Sequence, residues 1–257
     1  MAARMREAVS PRGRRGYEIQ ILESDDGHTF RKLISIERET VQMIGFERPA
    51  LVIDPGTGNF RLYVCGPVEG EHLFWGILAF DPVNDISRVD RSSMHPVLPP
   101  VPPQSTGDLG QGYKDPILFH DGEQWHMYVI AYDRVERTGH FLSKDAETWE
   151  PDPANPVLDA GGWHNFYTRP ACVFPGPVGY FFVYEGSAAN WFDAAYNIAT
   201  GLGYTFDLSQ VIDLTPEAPL LRSTTAGDYH TWRYSCWVPE GDRIHVYAEV
   251  ACPNNAN

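Results

Sequence analysis

The residues best suited to chemistry in this chain fall at four corresponding points. These are Phe46-Glu47-Arg48-Pro49, Tyr113-Lys114-Asp115-Pro116, Tyr167-Thr168-Arg169-Pro170 and Trp232-Arg233-Tyr234-Ser235, each opening a strand-like run. They supply two carboxylates, Glu47 and Asp115, and four cations, Arg48, Lys114, Arg169 and Arg233. Two carboxyl groups can divide acid and base work when their surroundings drive their pKa values apart. Several cations brought to one place repel each other and require an anion between them. The protein's own carboxylates can be that anion, or a phosphate or carboxylate group on a ligand can. Each carboxylate also has a plainer reading: Asp115 as a turn residue satisfying backbone amides, Glu47 as the ion-pair partner of Arg48.

Two further carboxylates end second runs. Glu185 closes YFFVYEGS and is followed by the aromatic loop Asn190-Trp191-Phe192-Asp193, and Glu249 holds a similar place in YAEVACP. A solvent-facing rim position would account equally for both. His164 (in GGWHNFYTRP) and His230 (in DYHTWRYS) stand just before inner strands, either as pocket-mouth donors or as surface-loop residues.

What must position these groups is a repeat. RPALVIDPGTGNFRLYVCGP from Arg48, DPILFHDGEQWHMYVIAYD from Asp115, RPACVFPGPVGYFFVYEGS from Arg169 and YSCWVPEGDRIHVYAEVA from Tyr234 each read as run, turn, run. That is a β-hairpin pattern. After the first three hairpins come a third strand (LFWGILAF, GHFLSKD, YNIATGLGYT) and a short fourth, ending at HPVL, NPVL and APLL. Four antiparallel strands at a period of about 60 residues describe a propeller blade. No stretch keeps helical periodicity long enough to compete. The 23 glycines and 21 prolines suit many short strands joined by turns. The expected fold is an all-β propeller in one domain spanning 1–257, with repeats near 17–45, 46–98, 113–158, 167–221 and 232–257.

The ends fit that pattern differently. The first clear strand, YEIQILES, looks like a third strand, and the last, IHVYAEVA, like a second. Either end strands combine into one shared blade of a four-bladed ring, or the chain is a five-bladed ring lacking strands at an end. The basic stretch 1–16 is expected to be an exposed leading segment.

Composition excludes other classes. The chain has 257 residues, 43% of them hydrophobic, so it can bury a sizeable core. Its 34 acidic against 20 basic side chains give a formal charge of −14. A phosphate backbone is repelled by such a balance, so no nucleic-acid partner is expected. No apolar run reaches the length of a membrane span and the leading segment lacks an export signal's apolar centre. No membrane partner and a cytoplasmic location are the expectations. Cys65, Cys172, Cys236 and Cys252 lack metal-site spacing and lie in strand-like runs, which predicts buried thiols without disulfides and no zinc site.

With these pieces in view, the chain resembles five-bladed propeller glycosidases. The resemblance rests on Lys114-Asp115-Pro116 and on two copies of an S-x-D turn before an aromatic residue, Ser143 to Trp149 and Ser24 to Phe30. It spans residues 17 to 252 and is similar to β-fructosidases, glycoside hydrolase family 43 and the family 130 mannoside phosphorylases. The resemblance implies an axial site with three carboxylates, cleaving a glycosidic bond with one carboxyl protonated and one ionised. It implies a carbohydrate or anionic small-molecule ligand. It places Asp115 and Glu47 at the reacting centre, with Glu185 as candidate acid. Arg48, Lys114, Arg169, Arg233, His164, His230, Trp163 and Trp191 follow as substrate-binding candidates. Trp163, Trp191 and Trp232 would stack on sugar faces or fill the core between blades. The chain departs from the pattern at Thr168-Arg169, where some members place a glutamate, and a phosphorolytic enzyme or a non-catalytic sugar-binding propeller stays open beside hydrolysis. No cofactor is implied; an axial calcium ion has no support in the sequence.

Overall fold

The computed structural model describes residues 1–5, 16–67, 75–105, 110–132 and 135–251. Cys252 and most of the leading basic segment lie outside these. Among the described residues there is no α-helix, and no helix long and apolar enough to cross a membrane.

Among the described residues five antiparallel sheets follow one another along the chain, as a five-bladed propeller requires. The first holds β1 (Ala2–Arg4), β2 (Glu18–Glu23) and β3 (Arg31–Glu37). The second holds β4 (Ala50–Ile53), β5 (Phe60–Gly66), β6 (Gly76–Ala79) and β7 (His95–Leu98). The third holds β8 (Gly112–His120), β9 (Trp125–Tyr132), β10 (Glu136–Ser143) and β11 (Glu150–Pro151). The fourth holds β12 (Tyr167–Pro175), β13 (Tyr180–Ser187), β14 (Ala199–Thr205) and β15 (Ile212–Asp213). The fifth is the hairpin β16 (Trp232–Glu240) and β17 (Arg243–Val250). The chain parts into two compact units. One comprises Met1–Met127, Ala131–Asp133 and Leu142–Glu150; the other comprises Tyr128–Ile130, Arg134–Phe141 and Pro151–Asn257.

Local chemistry explains the repeat. The second strands β9 and β13 are buried along nearly their whole length, which is why they read as continuous aromatic and β-branched runs rather than alternating ones. Hairpin turns are closed by aspartates: Asp54 Oδ1 accepts from the Gly56 amide at 2.9 Å, and Asp121 Oδ1 from Glu123 and Gln124 at 2.7 and 2.8 Å. A second device stands between β2 and β3, between β10 and β11, and between β14 and β15. Asp26, Asp145 and Asp207 each accept two backbone amides two and three residues on. In each copy a preceding hydroxyl, Ser24, Ser143 or Thr205, bonds the same aspartate.

In the first unit the core packs Ile19, Ile21 and Ile36 of the first sheet against Phe46, Leu62, Val64 and Leu78 around the second. In the second unit Ala171, Cys172, Phe174 and Val183 form a smaller core with Trp237 packed against it.

Two sequence expectations are corrected here. Ala2–Arg4 is not an exposed end: it pairs with Ile19 to Ile21, and the Met1 ammonium donates to the Leu22 carbonyl at 2.7 Å. Cys65 and Cys172 are buried thiols as expected, but Cys236 is an exposed one because its strand belongs to a two-stranded sheet.

Candidate functional site

In the first unit the site residues gather at the head of β8. Asp115 is 2% exposed and sits at φ 55°, a left-handed conformation that a non-glycine residue holds only when its surroundings over-determine it. Its amide donates to Cys65 Sγ at 3.1 Å, and its Oδ1 accepts from the Arg48 amide at 3.2 Å. Burial and the neighbouring Asp115 carboxylate push the Cys65 thiol up, so the sulfur stays a neutral acceptor. Asp115 therefore has both the turn-like contacts of the plain reading and the burial of a site group.

Glu47 is buried and is bound by the Arg4 guanidinium on β1. A buried carboxylate paired with a guanidinium is fixed in place by a charge-assisted contact, which suits a group that orients a substrate. Lys114 points its ammonium at two rings, 5.2 Å from the centroid of Trp75 and 5.3 Å from that of Tyr132, a cation–π cage. Gly112 keeps the cage open, since a Cβ there would lie 2.6 Å from the Tyr132 ring.

In the second unit the corresponding cations are already matched. Arg169, 8% exposed, is bound through Nε by Glu136 of β10, and its guanidinium lies 4.1 Å over the Tyr167 ring. Burial works against the charge of Arg169, yet Tyr167, Glu136 and Tyr234 together hold the guanidinium above its ordinary pKa. Arg233 donates from Nε to Glu249 Oε1 at 2.8 Å, directly across the β16–β17 register. The rim reading of Glu249 gives way to this ion pair. Two of the three arginines thus meet carboxylates of the protein itself, and the expected demand for an outside anion is not present at them.

Glu185 is 1% exposed and stands opposite Arg169 in the β12–β13 register, while its Oε1 accepts from the Ser235 amide at 3.1 Å. The preceding residue, Tyr234, has φ 53°, so Asp115 and Tyr234 repeat one strained geometry at matching inner-strand starts.

The remaining candidates are placed otherwise than the sequence led one to expect. His164 is not at a pocket mouth; it is 2% exposed and its Nε2 lies 3.0 Å from Asp213 Oδ2. Asp213 also accepts from the Tyr184 hydroxyl at 2.7 Å. Trp163 cannot offer a face to a sugar: it stacks on Tyr184 at 5.8 Å and on Trp191 at 5.9 Å. Trp191 is covered on Trp163 and by the Arg222 guanidinium, 4.1 Å from its centroid. Gly201 makes this column possible, since a Cβ there would fall 2.2 Å from the Tyr184 ring. His230 is a half-buried loop residue with Nδ1 3.2 Å from the Ser223 carbonyl. Trp232 is half-buried and its amide donates to the Ile198 carbonyl at 2.8 Å.

Sequence reasoning missed Arg4, Glu136 and Asp213, each far along the sequence from the group it binds. It named Phe192 only as part of an aromatic loop and passed over Tyr229; the two rings meet edge to face at 5.5 Å, with Phe192 59% exposed. Among the described residues no group of three or more His, Cys, Asp or Glu side chains is arranged to hold a metal ion.

The sequence matches no known family profile and no curated relative. Solved structures do resemble the chain. The RGII complex of BT0996 aligns at a TM-score of 0.69 and 18% identity, over 95% of this protein and 77% of that one. A thermostable family-43 glycoside hydrolase aligns at 0.66 and 11% identity, over 93% and 78%. The β-1,2-mannobiose phosphorylase of Listeria innocua, in complex with β-1,2-mannobiose, aligns at 0.63 and 15% identity, over 90% and 63%. At such identities the likeness speaks for the fold alone, that of a five-bladed β-propeller.

Proposed function

We propose that the protein is a carbohydrate-active enzyme of the glycoside hydrolase kind, acting on a neutral glycoside or oligosaccharide. The observation that carries this reading is Asp115, a buried carboxylate in a left-handed conformation at the head of an inner strand, tied by its amide to Cys65. Strain of that kind persists where a group's placement matters more than local backbone comfort.

Glycosidic cleavage needs a protonated carboxyl to assist the leaving group and an ionised one to attack or to activate water. Glu47, paired with Arg4, is the second carboxylate of this reading beside Asp115, and Glu185 is its candidate acid. Each role is tested by its own variant. Hydrolysis is preferred to phosphorolysis because Arg169 and Arg233 are already neutralised by Glu136 and Glu249. Guanidinium groups so engaged have little to offer a phosphate.

The test is a panel of nitrophenyl glycosides and neutral oligosaccharides incubated with and without phosphate. Sugar release independent of phosphate, lost in Asp115→Asn and in Glu185→Gln, is the expected result. Turnover that requires phosphate would make the enzyme a phosphorylase. Glycan binding without turnover by the wild-type protein would make it a sugar-binding propeller.

A further inference from the structure

The loop that leaves β13 just after Glu185 carries an aromatic corner facing solvent. Phe192 is 59% exposed, and its ring meets that of Tyr229 at 75° with centroids 5.5 Å apart, a floor and a wall. The Tyr229 hydroxyl donates to Asp193 Oδ2 at 2.6 Å, so an acceptor pair borders the rings. A carboxylate that has taken one hydrogen bond retains lone pairs for others.

The corner is built, not incidental. Asn197, 2% exposed, ties its two loops together. Its Nδ2 donates to the carbonyls of Phe192 at 3.2 Å and Asp228 at 3.0 Å, and its Oδ1 accepts from the His230 amide at 3.1 Å. The Thr231 hydroxyl adds a bond to the Tyr196 carbonyl at 2.5 Å. Asp193 itself is held at φ 44°, a second cost the loop sustains. Rings fixed in this way lose little freedom when a ligand arrives.

From this geometry we infer that Phe192, Tyr229 and Asp193 form a sugar-binding subsite, taking one ring of a neutral glycan. A pyranose or furanose ring presents a C–H face that suits an aromatic floor, and hydroxyls at its edge that suit a carboxylate and a phenol oxygen. Asp193 and Asp228, both exposed, set the charge preference: a uronate or a phosphosugar would meet like charge. This subsite rests on the carbohydrate reading above but not on the catalytic roles assigned there.

The experiment is affinity electrophoresis and calorimetry of the full-length protein with linear arabinan, β-mannan and a fructan as neutral probes, and polygalacturonate as the acidic one. The wild type should bind at least one neutral polymer better than polygalacturonate. Phe192→Ala should raise that Kd about tenfold, the loss of one well-packed ring contact, with an unchanged melting temperature. Tyr229→Phe should give a smaller rise. Asp115→Asn should bind as the wild type does while losing hydrolysis, so failure of the catalytic reading and failure of the subsite are separable. Absence of binding to every neutral polymer, a preference for polygalacturonate, or wild-type affinity in Phe192→Ala would each overturn the subsite.

Discussion

The amide of Asp115 points at the sulfur of Cys65, 3.1 Å away, in a part of the protein sealed from solvent. The same connection recurs in the second unit with different chemistry, where the Ser235 amide donates to Glu185 Oε1 at 3.1 Å. In both, a side chain on a second strand satisfies a backbone donor at the start of a following inner strand. That donor is exposed to loss because the strand begins with a residue at positive φ, Asp115 or Tyr234, which breaks the regular ladder. Cys65 and Glu185 are thus positioning groups whatever else they do.

Asp115→Asn is the informative substitution at this site. Asparagine tolerates the left-handed conformation and its Oδ1 can still accept from the Arg48 amide, so the melting temperature should stay close to wild type. Activity should fall by orders of magnitude, as expected for loss of a group in acid–base chemistry. Cys65→Ala is the contrasting case: it strands a buried donor, at a cost of about 1–3 kcal/mol, and should lower the melting temperature. An Asp115→Asn enzyme of wild-type activity would reduce Asp115 to a turn residue.

Thiol labelling should separate the cysteines. Cys236 is exposed, whereas Cys65 and Cys172 are buried and burial pushes the Cys65 thiol up. Reaction with an alkylating reagent depends on access and on the thiolate fraction. Peptide mapping of the native protein after brief labelling at neutral pH should find Cys236 modified before Cys65 or Cys172. Equal labelling of Cys65 would contradict the sealed contact with Asp115.

Acid should act through the aspartate turns. Backbone amides of Thr148 and Glu147 lower the Asp145 carboxyl to about 2 from an ordinary 3.8, and backbone amides hold Asp26 and Asp207 low in the same way. A carboxyl depressed on folding adds stability that is present above its unfolded pKa and is lost as pH falls through its folded one. For Asp145 that window runs from 3.8 down to about 2. The melting temperature should drop across it, and Asp145→Asn should be less stable at neutral pH but lose less on acidification. An identical pH profile for Asp145→Asn and wild type would rule out this turn as a source of acid sensitivity.

The hairpins could be read from the sequence because each is local: run, aspartate or glycine turn, run, with the two strands pairing across one short turn. The heads of the inner strands were legible for the same reason, which is why Asp115 and Glu47 stood out. Partners of those heads were not. Arg4 reaches Glu47 and Glu136 reaches Arg169 through pairings between elements that no local pattern encodes. β1 was missed because three residues inside a basic stretch have no strand periodicity; they are a strand only by pairing with β2. The tryptophans illustrate a related limit. Composition marks Trp163 and Trp191 as able to stack, but the faces turn out to be occupied by Tyr184, by each other and by Arg222. The ring left open, Phe192, was the less conspicuous residue of the same loop.

The arginine pairs bear on the charge of the proposed ligand through a measurable contrast. Arg169 and Glu136 are both largely shielded from water, with side-chain exposures of 10% and 18%. Glu136→Ala leaves the guanidinium buried without its counter-charge, which costs about 3–5 kcal/mol in such settings, so the variant should melt well below the wild type. It also creates the demand for an anion that the native protein meets internally. Phosphate or sulfate, titrated against chloride at equal ionic strength, should therefore raise the melting temperature of Glu136→Ala saturably. The same anions should leave the wild type no more stable than chloride does. Arg169→Ala in the Glu136→Ala background should remove the anion effect, because the site then has no charge to neutralise. A saturable rise in the wild type itself, abolished by Arg169→Ala, would mean that Arg169 remains available to an outside anion despite Glu136, and a phosphate or uronate ligand would then replace the neutral glycan.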